Sequence, residues 1–149
     1  MYLLLDFIHT FIYDGIMKTE YRHTNTTVSL INYHFVFCPR YRRKIFLNEK
    51  VDLRFKELVH DICRDEDWII LAIETDQDHC HLFINVQPAF SPADIMKKIK
   101  GVTSRILREE FPHLSRMPSV WTRSYFVSTA GDVSSDIIVR YVEGQRKRY

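Results

Sequence analysis

His79 and His81 stand two residues apart in the run His79-Cys80-His81-Leu82. On an extended strand such residues project from the same face, their bases about 6–7 Å apart, so two imidazole nitrogens can reach one metal ion. Two imidazoles are too few for a complete site, and a third protein ligand has to come from elsewhere. Tyr141 and Gln145 are four apart and share one stripe of a helix with Ile137. Gln145 offers a carbonyl oxygen suited to a hard cation such as Mg²⁺ or Mn²⁺. Tyr141 offers a phenolic oxygen able to act as a covalent nucleophile. The plainer alternative is a core tyrosine beside a surface glutamine, and spacing alone leaves both readings open. Gly144, inside the same helix, costs about 1 kcal/mol relative to alanine, which points to close approach or intended looseness.

The pattern of the chain predicts the elements that must position these groups. Residues 28–38 alternate, with Ile31, Tyr33, Phe35 and Phe37 on one face and Asn32 and His34 on the other, which predicts a strand. Asn48 is a fitting N-cap for a helix whose apolar positions are Val51, Phe55, Leu58, Val59 and Ile62. Residues 68–75 predict a buried strand, and Gln77-Asp78 a tight turn into a second strand over 79–86. There Cys80, Leu82, Ile84 and Val86 face the core and His79, His81, Phe83 and Asn85 point away. Ser91-Pro92-Ala93-Asp94 starts a helix with Ile95, Ile99, Val102 and Ile106 on its apolar side and Lys97, Arg105 and Arg108 on a basic stripe. Pro112 bounds it. Residues 120–129 predict the last strand, Gly131 is a hinge candidate, and Ser134 or Ser135 caps a final helix to about Lys147. The order predicts an α+β fold, a ferredoxin-like β-α-β-β-α-β antiparallel sheet with helices on one face plus a C-terminal helix. The other face of the sheet is left for a site.

Length and composition fit one such domain. The chain has 149 residues, 46% hydrophobic and 27% charged, with nine Gly and Pro together, which excludes disordered and fibrous classes. Three cysteines without CxxC spacing suggest neither a disulfide framework nor a zinc ribbon, so an intracellular, cytoplasmic, reducing setting is expected. Residues 1–27 are expected to be an N-terminal extension outside the core, with the domain over 28–149. The apolar run in 1–16 is broken by Asp6, His9 and Asp14 and lacks a basic start, so it reads neither as a leader nor as a membrane span. Met17 is the expected natural start, 1–16 being an upstream extension or a short helix outside the core.

The net charge of +2 hides a strong segregation. Stretches 40–44, 97–108 and 140–148 hold 13 of the 21 Lys and Arg and a single acid, Glu143; they carry +12, and the rest of the chain −10. Arg40, Arg42, Arg43 and Lys44, then Lys97, Lys98, Lys100, Arg105 and Arg108, then Arg140, Arg146, Lys147 and Arg148 are therefore candidate contacts to a polyanion. Tyr41, Tyr141 and Tyr149 lie among them, and a tyrosine can stack on an unpaired base. Ordinary surface charge is the alternative.

Together these pieces resemble the single-tyrosine HUH transposases of small insertion sequences, the TnpA type. The likeness runs through almost all of 30–147. It includes Tyr33-His34, Pro39-Arg40-Tyr41-Arg42-Arg43, Asp78-His79-Cys80-His81-Leu82-Phe83, Lys97-Lys98-Ile99-Lys100-Gly101, Trp121, Ser124 to Thr129, Gly131 and Tyr141-Val142-Glu143-Gly144-Gln145. The resemblance implies that His79, His81 and Gln145 bind a divalent metal, Mg²⁺ or Mn²⁺, and that Tyr141 attacks a phosphodiester of single-stranded DNA. A 5′-phosphotyrosine link and a free 3′-OH would result. It also implies a homodimer that binds DNA hairpins, a nucleophile helix able to serve either subunit, and a pivot at Gly131. Asp78 is the candidate partner that orients an imidazole. Cys80 stands where valine is commoner and, facing the core, should not alter function. Competing readings are an HUH nickase of replication or conjugation type, and a ferredoxin-like module that binds RNA or single-stranded DNA without catalysis.

Overall fold

In the computed structural model, residues 21–129 are described, and within them the alternating and helical patterns become a four-stranded sheet with two helices. The sheet strands are β3 (Ile31–Phe37), β4 (Ile69–Asp76), β5 (His79–Val86) and β6 (Phe126–Thr129); the helices are α1 (Glu49–Asp65) and α2 (Pro92–Glu110). The strand order is β4-β5-β3-β6 and every pairing is antiparallel. This is the expected ferredoxin-like order, with strands far apart in sequence, β3 and β5, side by side at the centre.

Local chemistry explains where the helices begin. The Asn48 Oδ1 accepts from the backbone N–H of Lys50 at 3.0 Å and of Val51 at 3.3 Å, satisfying two otherwise orphaned donors of α1. At α2, the Ser91 hydroxyl accepts from the Asp94 N–H at 3.1 Å while the Asp94 carboxylate accepts from the Ser91 N–H at 3.4 Å, with Pro92 at the first helical position. Both helices bury their apolar stripes on the same face of the sheet. Val51, Phe55 and Val59 from α1 and Ile95, Ile99 and Leu107 from α2 form one core with Phe35, Phe37, Cys80, Leu82, Ile84 and Val86. The odd-numbered positions of β5 face the opposite way.

Three expectations need correction. The strand predicted over 28–38 is interrupted at Leu30: Val28–Ser29 (β2) pairs with Arg22–His23 (β1) in a separate two-stranded hairpin. The threonine-rich turn explains it, since the Thr24 hydroxyl accepts from the Thr27 N–H at 3.0 Å. Arg22, within the expected extension, reaches the sheet, donating to Asn85 Oδ1 at 2.5 Å and to the Asp67 carbonyl at 2.8 Å. The strand predicted over 68–75 is an edge strand with Ile69 exposed and a bulge between Ile70 and Ala72, so β-branched composition misled about its burial. The last strand is shorter than 120–129. Trp121 instead bridges to Pro39, with the Arg40 N–H donating to the Val120 carbonyl at 2.8 Å. Its buried indole donates to the Thr103 hydroxyl at 2.9 Å, which pulls the segment off the sheet until Phe126.

Candidate active site

His79 and His81 project from β5 on the face away from the helices, as expected, but that face is not open to solvent. His79 is 1% and His81 0% exposed. His34 of β3, 1% exposed, and Phe83 lie beside them; the His34 and Phe83 rings stack 4.0 Å apart at 11°. The His79 and His81 rings are 5.0 Å apart at 73°.

Each ring is engaged through Nδ1. His79 Nδ1 is 2.9 Å from Asp78 Oδ1, and a carboxylate accepts only, so this nitrogen carries the proton. His81 Nδ1 is 3.2 Å from His34 Nε2. The Nε2 atoms of both His79 and His81 are buried with no hydrogen-bond partner among the described residues. Burial pushes the His34 imidazole down to about 3 and holds His81 well below the ordinary histidine value, with His79 and His34 adding to the effect at His81. Both therefore stay neutral near pH 7, the form that ligates metal. The two orphaned imidazole nitrogens of His79 and His81 on one buried face fit a divalent cation. Among the described residues no three His, Cys, Asp or Glu groups converge into a complete cluster.

Asp78 is itself held. Arg42 donates to its Oδ2 through Nε at 3.0 Å, with Nη2 2.8 Å from the same oxygen in an ion pair, both side chains being 10% exposed. Burial alone would raise the Asp78 carboxyl, but the His79 hydrogen bond and the Arg42 charge outweigh it and keep the group below its ordinary value. Tyr41 and Arg42 deliver this contact from left-handed backbone, φ 57° and 50°, a conformation costly for side chains of this size. Arg42 thus sits in an ion pair rather than on the open surface with its basic neighbours. Tyr41 remains 57% exposed, with the Arg43 guanidinium 5.9 Å from its ring centre.

The other candidate cations divide. Lys100 points inward: its ammonium donates to the carbonyls of Thr122 at 2.9 Å and Ser124 at 2.7 Å, and burial lowers it to about 8. Lys97 is exposed, and Lys98 pairs with Glu66 at 3.5 Å. Arg40, Lys100, Arg105 and Arg108 line a groove of about 430 Å³ between α2 and residues 118–123, and no carboxylate lines it among the described residues. Arg123, outside every basic run and so missed from sequence, completes this wall; Arg108 Nε is buried without a partner among the described residues. Arg43 and Lys44 line a second cleft with His113. His34 was also missed, although its place on the polar side of an alternating strand was a usable signal. Cys80 is buried in the core as expected; burial pushes Cys38 and Cys63 up to about 12 and raises Cys80, which keeps all three as thiols near neutral pH. Tyr141, Gln145, Gly131, Arg140, Arg146, Lys147, Arg148 and the final helix lie outside the described residues. No helix among the described residues is long and apolar enough to cross a membrane.

Comparisons with known proteins identify the family. The family described as "Transposase IS200 like" matches residues 27–145. The ISDra2 transposase TnpA of Deinococcus radiodurans is 25% identical over 136 residues, covering 89% of this chain and 96% of the relative. The transposase for insertion sequence element IS200 of Salmonella typhimurium is 33% identical over 108 residues, 70% of each chain. A crystal structure from Deinococcus radiodurans R1, of a protein described as a transposase, superposes with a TM-score of 0.76 at 27% identity over 83% of this chain and 97% of that one. A tyrosine transposase bound to a REP hairpin shares the fold, with a TM-score of 0.50 at 16% identity over 85% and 69%. The match over 27–145 and the paired histidines on β5 lead to one assignment: this chain belongs to the IS200-like transposase family, whose members are DNA-cleaving enzymes.

Proposed function

We propose that the chain cleaves and rejoins single-stranded DNA at insertion-sequence ends, with Tyr141 as nucleophile and His79, His81 and Gln145 holding Mg²⁺ or Mn²⁺. The observation that carries this reading is the pair of buried Nε2 atoms on His79 and His81, without a hydrogen-bond partner among the described residues while their Nδ1 atoms are held. A cation bound there supplies polarisation of a phosphate oxygen and charge stabilisation at the departing one. Asp78 fixes the His79 ring, and Arg42 fixes Asp78. The Tyr141 oxygen bonds to phosphorus as the bond from phosphorus to the 3′ oxygen breaks, giving a 5′-phosphotyrosine and a free 3′-OH. The phenol, ordinarily near pKa 10, gives up its proton in the attack. A 3′-OH reverses the step and rejoins the strand, so no external energy source is needed.

Arg40, Arg105, Arg108 and Arg123 would neutralise DNA phosphates along the groove, with Arg43, Lys44, Lys97, Lys98, Arg140, Arg146, Lys147 and Arg148 extending the basic surface. The hairpin held by the fold relative supports hairpins as the bound form, and a homodimer is the expected assembly. The non-catalytic reading loses ground because the sheet face that would stack bases is occupied by buried His34, His79, His81 and Phe83.

The test is incubation with single-stranded element ends and Mn²⁺, followed by a denaturing gel. A covalent protein–DNA adduct is expected from the wild type and none from Tyr141→Phe, with hairpin binding retained. An adduct from the Phe variant would exclude Tyr141 as nucleophile. Tight binding in EDTA with no adduct under any divalent ion would favour a binding module. Joining of excised circles, beyond nicking, separates a transposase from an HUH nickase.

A further inference from the structure

His79 has an obvious orienting partner in Asp78; His81 has no carboxylate partner among the described residues, and its Nδ1 meets a third histidine instead. We propose that His34 is a positioning residue for His81: its Nε2 accepts the His81 Nδ1–H and so keeps the lone pair of His81 on Nε2, facing the cation site. This inference rests on the metal reading above.

His34 is built for a fixed role. Its strand is flanked on both sides, with His34 in register with Phe83 of β5 and Ser128 of β6. Its ring is clamped face-on by Phe83 at 4.0 Å and edge-on by Phe126 at 6.2 Å. It cannot swing away without leaving a packed, buried slot. His81 lies diagonally across the β3–β5 pair, within reach of a long side chain on the same face. An imidazole that offers a neutral acceptor also suits the surroundings. A second carboxylate here would be buried without a cation, since Arg42 is already committed to Asp78. The tautomer proposed places a proton on His34 Nδ1, which has no partner among the described residues; the buried Ser128 Oγ, likewise without a partner among them, stands on the strand paired with it. The two metal-binding histidines are thus set by different devices, one charged and one neutral.

The test uses the full chain. In ¹⁵N-labelled wild-type protein, a coupling through the hydrogen bond between His81 Nδ1 and His34 Nε2 is expected, with the proton on His81. Mn²⁺ affinity, read by electron paramagnetic resonance with a single-stranded oligonucleotide present, should fall about tenfold or more in His34→Phe, which keeps the stacking but offers no acceptor. His34→Gln, which restores an acceptor, should recover most of it. A proton found on the His34 side, or a folded His34→Phe variant with wild-type Mn²⁺ affinity, overturns the proposal. Should the wild type itself hold no Mn²⁺, the metal reading fails, while the coupling still decides the pairing.

Discussion

Arg42 and Asp78 meet through a single oxygen: Nε of the guanidinium donates to Oδ2 at 3.0 Å and Nη2 lies 2.8 Å from it, leaving Oδ1 for His79. The ion pair is therefore one end of a chain that terminates at a candidate metal ligand. The strained turn at Tyr41 and Arg42 is the backbone cost of making it.

Removing Arg42 should harm both stability and the site. Arg42→Met leaves the Asp78 carboxylate buried and unpaired, and a loss of about 3 kcal/mol is expected in urea unfolding at neutral pH. Asp78→Asn should cost less, and Arg42→Met with Asp78→Asn should recover part of the loss. The sign of the pH dependence follows from the lowered Asp78 value. The unfolded chain takes up this proton before the folded one does, so the contribution is present above the ordinary carboxylate range and fades as pH falls through the lowered value. Wild type should be more acid-sensitive than Asp78→Asn over that window. Equal acid sensitivity would show that the pair does not hold the folded state.

Lys100 gives the opposite end of the scale. Its ammonium is buried among carbonyls, without a carboxylate, and is lowered to about 8. The folded chain releases this proton near pH 8, whereas the unfolded chain keeps it to the ordinary lysine value of 10.5. Between those values the unfolded state binds more protons, so this group makes folding more favourable as pH rises. The stability of wild type relative to Lys100→Met should therefore increase from pH 8 to 10, measured by denaturant midpoints. A flat difference would mean that the ammonium is solvated.

Much of this site was legible in the sequence. Strand β5 and the capped starts of α1 and α2 follow from short-range rules: alternation, an Asn cap, and a Ser-Pro-x-Asp start. The side on which His79 and His81 leave the core follows from Cys80 and Leu82. What sequence could not give depends on strands brought together from afar. His34 becomes significant only because β3 lies beside β5, and Arg123 only because Trp121 ties its segment beside α2. Arg42 and Lys100 looked like surface cations because charge runs carry no information on which member turns inward.

The charge balance of the site predicts that metal binding depends on DNA. His79 and His81 contribute no negative charge, and Asp78 is neutralised by Arg42. Gln145 would add only a neutral carbonyl. The phosphate of the substrate is then the main source of negative charge for a divalent ion. Mn²⁺ should bind at least about tenfold more tightly when single-stranded DNA is present, and DNA should bind correspondingly better with Mn²⁺, as linkage requires. EDTA should abolish adduct formation while leaving salt-sensitive DNA binding. Equal Mn²⁺ affinity with and without DNA would place an unrecognised carboxylate in the site.

The groove between α2 and residues 118–123 can be tested at two kinds of position. Arg123→Gln and Arg108→Gln each remove one cation, so each should weaken DNA binding across sequences and reduce the salt slope by about 0.7 to 0.9. Gly101 lines the same groove on an exposed helical turn, and a methyl added there would touch nothing within 4 Å. In the free protein, Gly101→Ala should therefore raise stability by about 0.5–1 kcal/mol through helix propensity alone. If a phosphodiester backbone lies against this turn, the added methyl should weaken DNA binding in spite of that gain. Thermal unfolding and fluorescence anisotropy on the same variant read the two effects separately. A stabilised Gly101→Ala with unchanged DNA affinity, together with unchanged salt slopes for both arginine variants, would remove the groove from the DNA path.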